Sequence, residues 1–261
     1  MTLLALLFAL GISHVWRDVE RWRRHDLLAE PARRLSGRGP FPAVATVALA
    51  LLAGALLMAM ADLLLGDFGL LLAGVLTLLF VLGPRDLDRD VAAAAAGRDG
   101  AATARDRLFV TADASASEGA AAALHAGLAR WFGVLFWFAV LGIPGALLYR
   151  AIRVARRVYP AGFDERRAFD AVLGVLNWPV IALMTLSIAL MTDFDRVLDR
   201  FDARGDRWRF PARLLDDLAA ALCTADGGLA AGLEDGRQLA RRVLTLWLVV
   251  VAVLLLIGVL A

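Results

Sequence analysis

Residues 43–65 form an apolar run of 23 with a single charge, Asp62, near its end. As a helix rising 1.5 Å per residue the run reaches about 34 Å, enough to cross bilayer hydrocarbon. The very short turn Leu65-Gly66-Asp67 follows, and 68–82 returns to stop at Gly83-Pro84. Residues 43–82 are therefore predicted to form a transmembrane hairpin. Its turn carries Asp62 and Asp67 and no Arg, while Arg-rich segments flank it on both sides. By the positive-inside rule the turn faces out and both flanks face the cytoplasm.

The rest of the chain has the same block structure. It is 60% hydrophobic with a mean hydropathy of +0.68, against about 45–50% apolar for a soluble domain. The expected fold is an all-α integral membrane protein. It has about three full transmembrane helices (43–65, 68–82 and 243–260), two interrupted or re-entrant helices and amphipathic cytoplasmic helices. Residues 1–16 are apolar but short of the roughly 20 needed to span, and lack the basic start and cleavage site of a signal peptide. They are read as an embedded helix that continues as an amphipathic segment to residue 40, with Trp16 and Trp22 as headgroup anchors. Residues 85–130 and 193–242 are helical soluble loops, and 243–261 is a C-terminal transmembrane helix. In 85–130 the acids alternate with Arg, the pattern of a solvated helix face. Ser115-x-x-Glu118 has the spacing of a capping box. Residues 225–236 are Gly-rich and expected to be flexible.

The interrupted helices lie in 131–192. Residues 131–149 contain Gly142-Ile143-Pro144-Gly145, and 171–191 contain Asn177-Trp178-Pro179. If 131–149 crossed, the Arg-rich stretch 150–167 would face outward. The charge bias is restored when both segments dip in and return. Irregular backbone at that depth needs protein or a wet cavity beside it, so the two breaks are expected to satisfy each other.

Several chemistries are disfavoured. All basic residues are Arg, so no Lys is present for a Schiff base or a phosphate clamp. Cys223 is the single cysteine, so no intrachain disulfide forms. His14, His25 and His125 are scattered, with no zinc spacing. The carboxylates Asp193, Asp195, Asp199 and Asp202 each have an Arg within three residues, the pattern of an ion-paired helix rather than a magnesium site. No Walker, Gly-x-Ser-x-Gly or nucleotide motif occurs. The basic stretches border apolar segments and lack interleaved aromatics, which argues against nucleic acid. No catalytic residue, metal or cofactor is assigned.

The candidate ligand-binding residues are Gly142, Pro144, Gly145, Tyr149, Arg150, Arg153, Arg157, Asn177 and Trp178. The Gly-x-Pro-Gly break either opens a polar backbone window on a cavity or kinks a helix that packs a neighbour. Arg150, Arg153 and Arg157 share a helix face. They suit an anionic small molecule or the anionic headgroups of the lipid bilayer. Asn177 bonds either carbonyls freed by Pro179 or a ligand. A membrane-protein partner or a homo-oligomer is also compatible with these surfaces.

The order of features is specific: an apolar N-terminal helix running into a Trp/Arg segment, an early hairpin, Phe136-Trp137-Phe138, Gly142-x-Pro144-Gly145-Ala146-x-x-Tyr149-Arg150, Leu176-Asn177-Trp178-Pro179 and a C-terminal membrane helix. Together these resemble the AmpE family, within the wider CobD/CbiB superfamily of cobalamin-synthesis membrane proteins. The resemblance implies an inner-membrane regulatory protein that modulates β-lactamase induction, signalling antibiotic or envelope stress. The CobD/CbiB branch, which joins an aminopropanol unit to adenosylcobyric acid, resembles the chain in the Gly-x-Pro-Gly-Ala-x-x-Tyr core. That branch carries Glu-Asn-x-x-Asp-Gly ahead of the core, where this chain has 125–134 without that polar set. The expected function is an AmpE-like regulator or sensor, with a CobD/CbiB-like amide-forming membrane enzyme as the alternative.

Overall fold

The computed structural model describes residues 4–6, 9, 30, 32–34, 40–82, 87–96, 100–160, 162–192, 211–222 and 227–257. The expected anchors Trp16 and Trp22, His14 and His25, the carboxylates Asp193 to Asp202, and Cys223 lie outside the described residues. Among the described residues all regular structure is helical. Three helices are long and apolar enough to cross a membrane: Phe41–Val81, Ala116–Leu141 and Asp164–Met191. The protein is an all-α membrane protein. Its chain divides into two compact units, Met1–Pro84 with Gly133–Leu176 and Val251–Ala261, and Arg85–Phe132 with Asn177–Val250.

The first unit is built from two helical hairpins. Helix α1 (Phe41–Val81) starts on Pro40 and Pro42 and breaks at Gly66, whose φ of 57° and ψ of −140° suit glycine alone. The chain reverses there. A Cβ on Gly69 would fall 2.1 Å from the carbonyl oxygen of Ala61, an approach that a straight helix cannot make. The two legs, 41–65 and 67–81, fold back on each other.

Helices α5 (Gly133–Leu141) and α6 (Ile143–Arg156) form the second hairpin. Gly142 between them has φ 66° and ψ −145°. A Cβ on Gly145 would fall 2.2 Å from the carbonyl oxygen of Trp137. The two turns are one device used twice: Leu65-Gly66-x-x-Gly69 and Leu141-Gly142-x-x-Gly145. In each, a left-handed glycine reverses the chain. A second glycine, three residues on, seats its bare Cα on the carbonyl five residues before the first.

The hairpins pack through glycine. A Cβ on Gly54 would lie 2.4 Å from the Cα of Pro144, and one on Gly74 would lie 3.2 Å from the Phe138 ring. Small residues at such crossings let helix backbones approach closely in lipid. Gly54 lies twelve residues before Gly66, so the second turn stops about 18 Å short of the first. The buried positions of the first leg, Pro42, Ala43, Thr46, Ala50 and Gly54, end at that level. Beyond it 55–60 and 62–65 are exposed. The second hairpin accordingly lies along the open end of the first, near Phe41 on one leg and Val81 on the other.

The other interrupted segment differs from expectation. Helix α7 (Asp164–Met191) runs through Pro179 without reversing. Proline removes one N–H and crowds the preceding turn, but no left-handed glycine accompanies it here to redirect the chain. The carbonyl of Leu176, in the turn that Pro179 disturbs, accepts the Trp137 indole N–H at 3.0 Å. Of the two segments expected to turn back, the chain reverses at Gly142 and not at Pro179.

The second unit holds α2 (Leu87–Ala96), α3 (Ala101–Leu108), α4 (Ala116–Gly127) with a π-helical turn at Leu128–Phe132, α8 (Pro211–Leu222) and most of α9 (Gly228–Leu256). The capping box at the start of α4 is present. The Ser115 hydroxyl accepts from the Glu118 N–H at 3.3 Å, and the Glu118 carboxylate accepts from the Ser115 N–H at 2.7 Å. The stretch expected to be flexible is helical from Gly228. Gly232, Gly236 and Ala240 repeat every fourth residue along the α9 face that meets α4. A Cβ on Gly232 would lie 1.8 Å from the Ala116 carbonyl oxygen, and one on Gly236 would lie 2.5 Å from that of Ala120. Glycine weakens a helix in isolation, yet here it lets two backbones touch. The expected span 243–260 is the apolar second half of α9, described as far as residue 257.

Candidate functional site

The expected site residues fall into three groups. Gly142, Pro144 and Gly145 form the turn of the second hairpin. Pro144 lies in the first turn of α6, where its missing N–H removes no intrahelical bond. The Gly142 N–H donates to the Phe138 carbonyl at 2.8 Å, and the Gly142 carbonyl accepts from Ala146 at 3.3 Å. Gly54 covers Pro144, and the Trp137 carbonyl covers Gly145. This backbone is committed to reversal and packing inside its own unit.

Tyr149, Arg150, Arg153 and Arg157 line the exit of α6. Tyr149 is fully buried. Its ring lies on the bare Cα of Gly133, where a Cβ would come within 2.0 Å of the ring. Arg153 Nη1 donates to the Tyr149 hydroxyl oxygen at 3.1 Å, with the guanidinium carbon 5.7 Å from the ring centroid. Arg150 is 5% exposed, Arg153 half-buried and Arg157 exposed. The shared face thus grades from the interior to the surface along two turns of helix.

The residues that follow, 157–160, are held by other Arg residues. Arg156 pairs with Asp170, and Arg166 Nε lies 3.5 Å from the same carboxylate. Arg166 Nη1 also donates to the carbonyls of Arg156 and Tyr159 at 3.0 and 2.9 Å, satisfying the end of α6. Arg167 pairs with Asp164 at 3.2 Å. Tyr159 stacks on Phe169, and its hydroxyl donates to the Ala32 carbonyl. Burial, and after it the Glu165 carboxylate, hold the Tyr159 phenol above its ordinary value.

Asn177 and Trp178 belong to the second unit. Asn177 is half-buried on α7, and Trp178 is 37% exposed. Sequence reasoning missed a buried cluster in that unit. Asp90, 2% exposed, lies 2.7 Å from Arg130 on the π-helical turn and 3.4 Å from Arg107. Asp88 takes Arg237 at 3.0 Å and also Arg241. The alternating charge of 85–99 is therefore partly a set of ties to other helices, not a wholly solvated face. A π-turn places one extra residue in a helical turn and re-aims a side chain; here it carries Arg130 beside Asp90. No sequence pattern links these partners, which lie up to 153 residues apart.

Comparison with known proteins finds no matching protein family, no matching characterised protein and no matching solved structure.

Proposed function

We propose that this chain is a regulatory or sensor protein of the bacterial inner membrane, resembling the AmpE family, that modulates β-lactamase induction or envelope-stress signalling. The observation that carries this over catalysis is the closed Gly142–Gly145 turn. Its backbone is covered by Gly54 and by the Trp137 carbonyl, so it offers no polar window to a substrate. Asp164 and Asp170, two of the acids that follow α6, are engaged with Arg, and the third, Glu165, is buried beside Tyr159. The functional surface is the basic face at the exit of α6, turned toward the cytoplasm, where a partner or the membrane surface reads it. The amide-forming enzyme reading has only the Gly-x-Pro-Gly-Ala-x-x-Tyr core in its favour.

The test is disruption of the chain's gene in its host. The expected result is altered β-lactamase induction with unchanged cobalamin-dependent growth. Unchanged induction refutes the regulatory reading, and complementation of a cobalamin-synthesis mutant by this chain establishes the enzymatic one. A reporter fused near Arg157 is expected to read as cytoplasmic; a periplasmic signal overturns the re-entrant topology.

A further inference from the structure

We propose that Arg153, pinned by Tyr149 at the exit of α6, is the centre of a binding site for a phosphate-type anion at the membrane surface. The chemistry is shared by an anionic phospholipid headgroup and by free phosphate. The inference rests on the basic face named in the regulatory reading, but it concerns what α6 binds and not what the protein signals, so binding and induction can fail separately.

Three observations carry it. The first is preorganisation. Tyr149 is fully buried and seated on Gly133, and it holds one Arg153 nitrogen through its hydroxyl while its ring faces the guanidinium. A guanidinium has five N–H donors in a fixed fork, so one bond to a phenol fixes the fork and leaves most of it for an anion. Fixing a long side chain in advance removes the main entropic cost of recruiting it. The second is charge. Among the described residues, the Arg153 contacts are with neutral Tyr149. Of the carboxylates that follow α6, Asp170 and Asp164 are held by Arg156, Arg166 and Arg167, and Glu165 is buried beside Tyr159. Arg157, four residues on and exposed, adds a second positive charge to the same face. The third is depth. Arg153 lies eleven residues beyond Gly142, whose turn sits twelve residues of helix short of Gly66. Laid along the bilayer normal these stretches cover about 34 Å, close to the hydrocarbon thickness. With Asp62 and Asp67 at one surface, Arg153 reaches the headgroups of the other, where anionic lipid concentrates.

The experiment measures thermal unfolding of the full chain in detergent micelles with added phosphatidylglycerol, phosphatidylcholine or inorganic phosphate. The expected result is a rise in Tm with phosphatidylglycerol and none with phosphatidylcholine, lost in Arg153→Ala and kept in Arg167→Ala. A rise with inorganic phosphate that Arg153→Ala also removes identifies a free anion as the ligand and supports the same site. Where Arg153→Ala does not fold, Arg153→Gln and Tyr149→Phe are used, and both are expected to lose the rise. No rise with any anion overturns the proposal. So does an equal loss in Arg153→Ala and Arg167→Ala, which would reduce the effect to diffuse surface charge.

Discussion

Replacing Gly145 with Ala tests the turn on which the first unit depends. The added Cβ would stand 2.2 Å from the Trp137 carbonyl oxygen, well inside the 3.0 Å below which such contacts are essentially never seen. The obstacle is backbone, so no side-chain rotation relieves it, and the legs of the hairpin must part by about 1 Å. Overpacking of this kind costs about 1–3 kcal/mol. Moving Trp137 also disturbs its indole bond to Leu176, worth roughly 1 kcal/mol more. The expected loss is about 2–4 kcal/mol. Gly174→Ala is the internal control. That glycine is helical with open space around its Cα, so Ala there is expected to be neutral or to stabilise by up to about 1 kcal/mol. Both variants are compared with wild type by reversible unfolding in mixed micelles, with Gly69→Ala as the twin of Gly145→Ala. Wild-type stability in Gly145→Ala, or equal losses in Gly145→Ala and Gly174→Ala, would refute the reasoning.

The second unit yields three more expectations. Asp90→Asn strips the charge partner from Arg130 and Arg107 at a buried position, and breaking such a pair typically costs about 3–5 kcal/mol; an unfolding shift near zero would mean that the cluster is solvated after all. Gly232→Ala places a Cβ 1.8 Å from the Ala116 carbonyl oxygen and is expected to loosen α4 from α9, read as faster amide exchange in both helices and little change in 41–81. The Glu234 carboxyl is held below its ordinary 4.5, first by the Arg237 hydrogen bond and then by Gln238. A depressed carboxyl stabilises the fold above its unfolded value and loses that contribution as pH falls through the folded one. The stability gap between wild type and Glu234→Gln should therefore be present at pH 7 and close in acid below about 4.5; a gap that persists there counts against the assignment.

What was legible in the sequence follows from range. The 41–81 hairpin was readable because a long apolar run broken by Gly66-Asp67 has few other solutions in lipid. The reversal at Gly142 was readable from loop charge, since six Arg between 150 and 167 resist translocation. Pro179 misled because proline within a membrane helix does not by itself reverse it; reversal needs the left-handed glycine that Gly142 supplies and 177–179 lacks. The likeness of the two turns was hidden because Pro144 drew attention from the shared Leu-Gly-x-x-Gly. Gly232 and Gly236 looked flexible because the cost of glycine is local, while its gain here lies against Ala116 and Ala120, more than a hundred residues away. Asp90 failed for the same reason, its partners Arg107 and Arg130 being set by packing.

The repeated turn also explains why function is sought at the far end of α6. Both hairpins reverse by the same geometry, but their legs differ. The first has 25 residues before its glycine, and its turn ends in Asp62 and Asp67, exposed as at a headgroup surface. The second has its turn level with Gly54, twelve residues of helix short of Gly66, with Val140 and Leu141 exposed beside it. In lipid an open backbone group is costly. The turn must close on itself and on Gly54, and a closed turn has nothing to offer a ligand. Polar chemistry is displaced about two to three turns along α6, to where Tyr149 is still buried and Arg153 is half-buried. Through α6 the packing of the turn and the placing of Arg153 are linked, so loosening the turn with Gly145→Ala should also weaken the anion response proposed at Arg153.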